Sequence, residues 1–104
     1  MVDPELDELK REFLAEAKDK VREIETQLEG GRDNDALQRL TYLAHQLKGS
    51  GGSYGFQRIS TDAAEIEKAV EGLANADGRR LEEKIQQHVG NLRAEIDKRS
   101  RELR

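Results

Sequence analysis

The chain contains no cysteine and no tryptophan, a single proline, and only 4% aromatic residues. Without cysteine there is no thiol nucleophile, no disulfide framework, no Cys-based zinc site and no redox switch, a composition compatible with a reducing compartment. Long hydrophobic runs are missing as well. Nothing approaches the roughly 20 apolar residues of a membrane-spanning helix, and no signal-peptide pattern opens the chain. The expected setting is soluble and cytoplasmic, without a membrane partner. An excess of positive charge is also lacking: the net charge is −4, with both signs interspersed. Nucleic-acid binding, which rests on a basic stripe, is therefore not expected.

What remains is a 104-residue chain that is 38% charged and 35% hydrophobic. That length suits one domain, residues 1–104, with a core that needs neither disulfide nor metal. So few apolar residues must lie on narrow stripes, which favours helices over sheets. Helical periodicity appears four times. Asp3-Pro4 reads as an N-cap and first helical position, followed by Leu6, Leu9, Phe13, Ala17, Val21, Ile24 and Leu28 at intervals of three or four. Gly30-Gly31 ends that helix, and Asp33 can cap the next, whose stripe is Leu37, Leu40, Ala44 and Leu47 with Leu43 beside it. A turn is expected near Tyr54-Gly55. A third helix presents Ile59, Ala63, Ile66, Val70 and Leu73, and Asn75-Ala76-Asp77-Gly78 reads as a polar connection. The fourth carries Leu81, Ile85, Val89, Leu92, Ile96 and Leu103. Four amphipathic helices with short links predict an all-α, up-down-up-down antiparallel four-helix bundle.

His45 stands apart from its helix's stripe. At about 100° per residue it lies well over a quarter turn from the centre of the Leu37–Leu47 face, so it should face water. Lys48 at i+3 and Gly49 at i+4 share that outer face, with Gly52 a turn further on. Glycine inside a helix costs about 0.5–1 kcal/mol relative to alanine, so Gly49, Gly51 and Gly52 together give up roughly 2–3 kcal/mol if the helix continues. Such a concession suggests close approach of another backbone. A neutral imidazole is a nucleophile near neutral pH and can take a phosphoryl group, and a nearby ammonium can offset phosphoryl charge.

The run Ala44-His45-Gln46-Leu47-Lys48-Gly49, continuing through small residues to Gly55, resembles the phosphoacceptor motif of histidine-containing phosphotransfer (HPt) domains of two-component relays. The resemblance is specific over residues 44–55 and extends in pattern over about 5–100; it includes the phosphotransfer domain of chemotaxis kinases. It implies that His45 is the phosphoacceptor and that Lys48 stabilises the phosphoryl charge. It also implies that Glu67, at the edge of the third stripe, orients the imidazole through the nitrogen that is not phosphorylated. Gly49, Gly52, Tyr42 and Gln46 are then candidates for docking a receiver domain, although Tyr42 could equally shield the bundle edge. No cofactor is expected on this chain, because Mg²⁺ would come with the receiver. The implied partners are receiver domains and a histidine or hybrid kinase, and the implied state is a monomer.

No nucleotide-binding loop or kinase signature is present, so the chain is not expected to phosphorylate itself from ATP. A kinase dimerisation helix would usually follow its histidine with an acidic residue and a proline; here Gln46 follows and the run has no proline. An adaptor that docks signalling partners without phosphorylation is the alternative from another functional class. His88 lies near the edge of the fourth stripe, and its expected role is structural or solvated. A His45–His88 metal site is disfavoured because no ligand set accompanies the pair. Tyr54 and Phe56 are expected in core and turn packing. Lys98, Arg99, Arg101 and Arg104 form a basic helix end on a solvated face. Arg79 and Arg80 have no reading beyond solubility.

Overall fold

The computed structural model describes residues 3–31, 33–75 and 78–103. They form helices α1 (Pro4–Gly30), α2 (Asn34–Ser53), α3 (Gln57–Asn75) and α4 (Arg79–Glu102). No strand occurs among the described residues. Ala76 and Asp77 of the expected connection, and Arg104 of the basic end, lie outside them. Each helix packs on its neighbours in sequence, and α1 closes the ring against α4, giving an antiparallel four-helix bundle. No helix among the described residues is long and apolar enough to cross a membrane.

Local chemistry sets the helix starts and stops. The Asp3 carboxylate accepts from the backbone N–H groups of Glu5 at 3.0 Å and Leu6 at 3.2 Å, and Pro4 occupies the adjoining position where no donor is needed. Asp33 accepts from the Ala36 N–H at 2.8 Å and starts α2. That helix runs through all three glycines and ends at a left-handed Gly55, φ +82°. There the Gly55 N–H donates to the Gly52 carbonyl at 3.1 Å and the Phe56 N–H to the Gly51 carbonyl at 2.8 Å, a Schellman turn.

The turn is anchored by aromatic packing. Phe13 of α1 stacks on Tyr54 at 5.2 Å and on Phe56 at 5.8 Å between ring centroids. The remaining core is aliphatic, with Leu14, Ile24, Leu40, Leu43, Leu47, Ile59, Ile66, Ile85, Leu92 and Ile96 fully buried.

The α1 stripe outlasts its partners. Leu6 and Leu9 continue it in sequence, yet they remain 41% and 46% exposed. The α2–α3 turn stacks on α1 at Phe13, and Leu9 and Leu6 lie one and two turns before that contact. The end of α4 lies beside this stretch, with Arg11 Nε donating to the Leu103 carbonyl at 2.7 Å. Leu14, outside the expected stripe, is 1% exposed, because α1 sits between α2 and α4 and needs a broader apolar face than a single row. Arg99 also departs from a solvated charge: its guanidinium donates to Glu95 at 2.8 Å and Glu102 at 2.7 Å, covering a carboxylate that is itself buried.

Phe13→Ala should lower the unfolding free energy by about 3–5 kcal/mol in urea denaturation, whereas Leu9→Ala should stay within about 0.5 kcal/mol of wild type.

Candidate functional site

The site lies on the seam between α2 and α3. His45 is the most open of its members, with a side chain 67% exposed, against 39% for Lys48 and 21% for Glu67. Glu67 crosses from α3 and divides its two oxygens between the α2 side chains. Its Oε2 lies 3.0 Å from His45 Nδ1, and its Oε1 accepts from Lys48 Nζ at 2.9 Å.

This bridge determines the state of the imidazole. The hydrogen bond from Lys48 is the main force holding the Glu67 carboxyl below the usual carboxylate range. Desolvation opposes it, while the His45 contact and the charges of both partners reinforce it. Glu67 is therefore ionised at neutral pH and can only accept. A neutral His45 paired with it carries its proton on Nδ1 and leaves the Nε2 lone pair free. The exposed ring thus offers a nucleophilic nitrogen to the surroundings while its other nitrogen is held.

The glycines beside this triad have three different surroundings. An added Cβ at Gly49 would meet nothing within 4 Å, at Gly52 only Ser60 Oγ at 3.6 Å, and at Gly51 both Ile59 Cγ2 and the Ser60 backbone nitrogen at 3.1 Å. The close approach expected from the glycine cluster is therefore internal at Gly51, where α3 itself arrives. Gly49, one turn from His45, is open to the outside.

On the flank toward α1, Tyr42 and Gln46 line a shallow groove whose far side carries Glu16, Asp19 and Glu23. Tyr42 is 50% exposed, half covered at the bundle edge and half open to the groove. Arg39 lies 5.3 Å over its ring and also grips Glu23 through two hydrogen bonds, one of them from Nη2 at 2.8 Å. This brace escaped the sequence reading. Arg39 three residues before Tyr42 was the available signal, since i and i+3 side chains are neighbours on a helix. Ser60 was missed as well; its hydroxyl donates to the Lys48 carbonyl at 2.8 Å. His88 is not simply solvated. Its Nδ1 lies 2.8 Å from Asp62 Oδ1, and both side chains are mostly buried between α3 and α4.

The family model for the Hpt domain matches residues 8–99. The chain belongs to the Hpt domain family. Hpt domains function in phosphotransfer within two-component systems, where they interact with kinases and receiver domains. Comparison with the curated proteins and with the solved structures found no match.

A carboxyl depressed in the folded state contributes stability that is present above the unfolded value of about 4.3 and is lost as pH falls through the folded value. The stability gap between wild type and Lys48→Met should therefore be full at pH 6 and close as pH is lowered below about 4. Paired urea titrations across that range would measure it, and a gap independent of pH would exclude the ion pair as its source.

Proposed function

We propose that this Hpt domain is a phosphohistidine carrier in which His45 receives a phosphoryl group and passes it to or from a receiver aspartate. The observation that carries this reading is the Glu67 bridge, which ties down Nδ1 of an exposed imidazole and leaves Nε2 free. In the accepting direction Nε2 attacks the phosphorus of an aspartyl phosphate. The N–P bond forms as the acyl O–P bond breaks, and the receiver carboxylate leaves with the bonding pair; the donating direction is the reverse. Nδ1–H stays on Glu67 throughout, so the positive charge that develops on the ring faces a carboxylate.

Lys48 is within reach of the incoming phosphoryl oxygens as well as of Glu67, and its ammonium offsets their charge in the transition state. Mg²⁺ enters with the receiver, and this chain supplies the histidine side alone. Open space at Gly49 supports approach of the receiver from that side, with Tyr42, Gln46 and Gly52 contributing to the docking face. Closure of one core by α1 to α4 within a single chain supports a monomeric carrier, and a cytoplasmic setting is part of the same proposal.

Incubation with phosphoramidate should give an acid-labile, base-stable ³¹P signal that is absent from His45→Gln. A wild-type protein that failed to load from phosphoramidate and from phosphorylated receivers would overturn the carrier reading in favour of an adaptor. Lys48→Met should slow transfer about tenfold, the lower end of what a hydrogen bond to a charged group contributes. Gly49→Ala should raise stability by about 0.5–1 kcal/mol, as expected for alanine in a helix. It should nevertheless slow exchange with a receiver in a stopped-flow or gel-based transfer assay, because the new methyl occupies the face the partner must approach.

A further inference from the structure

Four hydroxyl groups in this bundle serve their own helix. Thr26, Thr41, Ser53 and Thr61 each donate to the carbonyl four residues back. Ser60 does otherwise: its hydroxyl donates across the seam to the Lys48 carbonyl on α2. That carbonyl belongs to the helical turn that carries His45. At the same level the Ser60 backbone nitrogen and Ile59 Cγ2 press against Gly51, leaving 3.1 Å where a Cβ would stand. A polar bond and a steric stop therefore coincide at one point on the seam.

The consequence appears two turns away. Seven residues separate Ser60 from Glu67 along α3, and seven separate Gly52 from His45 along α2. The helices are antiparallel, so a contact fixed at the Gly51–Gly52 level also fixes which residues face each other about 10.5 Å further along. There Glu67 meets His45 at hydrogen-bond distance. Hydrophobic packing alone tolerates shifts of a few tenths of an ångström, but a 3.0 Å hydrogen bond weakens over that range.

We propose that Ser60 is a positioning residue for His45, its hydroxyl acting with the close backbone approach at Gly51 to hold the α2–α3 register that keeps Glu67 on His45 Nδ1. For function this rests on His45 being the phosphoacceptor.

The test is ¹⁵N NMR of the His45 ring in its neutral form, in wild type, Ser60→Ala, Gly51→Ala and Thr61→Ala, with phosphoramidate loading followed in parallel. Wild type and Thr61→Ala should show the Nδ1–H tautomer. Ser60→Ala and Gly51→Ala should shift toward Nε2–H and load about fivefold more slowly, the factor expected for one hydrogen bond. A folded Ser60→Ala with an unchanged tautomer would overturn the proposal, whatever its melting temperature. If Gly51→Ala does not fold, Ser60→Ala, which removes a single hydroxyl, decides alone. Should the tautomer shift while even wild type fails to load, positioning by Ser60 stands and the carrier reading falls.

Discussion

The chemistry of this bundle depends on how closely α3 can approach α2. That approach is set at Gly51, where the backbone nitrogen of Ser60 would stand 3.1 Å from a Cβ, tighter than side chains usually accept. Much of the surrounding structure serves the same contact. Gly55 adopts the left-handed conformation that reverses the chain within one turn, and Phe56, the residue that follows, stacks on Phe13. The chain therefore enters α3 at a fixed point relative to both α1 and α2. About three turns later Glu67 is delivered to His45.

Once delivered, Glu67 is constrained by electrostatics from both sides. Lys48 holds the carboxyl below its usual range, and an ionised carboxylate leads the neutral imidazole to hold its proton on Nδ1. In the proposed carrier Lys48 thereby steadies the carboxylate that orients His45 before any phosphoryl group arrives. In the proposed transfer the same ammonium would be drawn toward phosphoryl oxygens, while the ring, then cationic, would take a larger share of Glu67. The two bonds on one carboxylate give the charge somewhere to go in either state.

Periodicity was sufficient for the four helices, because each stripe is a local property of 19 to 27 residues. It also turned His45 outward and put Glu67 at a stripe edge. It could not show that one carboxylate spans two side chains, since that follows from the register between helices, and register depends on contacts between residues distant in sequence. The glycine cluster shows the same limit. Three glycines read alike in sequence, but one faces solvent, one makes an ordinary contact and one accommodates a backbone. Leu6 and Leu9 misled for a related reason: a stripe records what a helix can bury, not how far its neighbours extend beside it.

A comparison within the molecule separates a His–carboxylate bond from a reactive site. His88 makes a contact with Asp62 at 2.8 Å, as short as that of His45 with Glu67, and Asn91 adds a further donor at 3.4 Å. Its side chain is only 17% exposed, against 67% for His45. Lys84, one turn earlier on α4, is directed to Glu65 at 3.7 Å and is not shared with the Asp62 carboxylate that holds the histidine. An imidazole so enclosed leaves little room for a phosphorus centre and its three oxygens to arrive in line with Nε2. The kind of bond that orients His45 in the proposed carrier therefore serves at His88 to brace α3 against α4. What distinguishes them is exposure and the neighbouring cation, both consequences of which seam each histidine occupies.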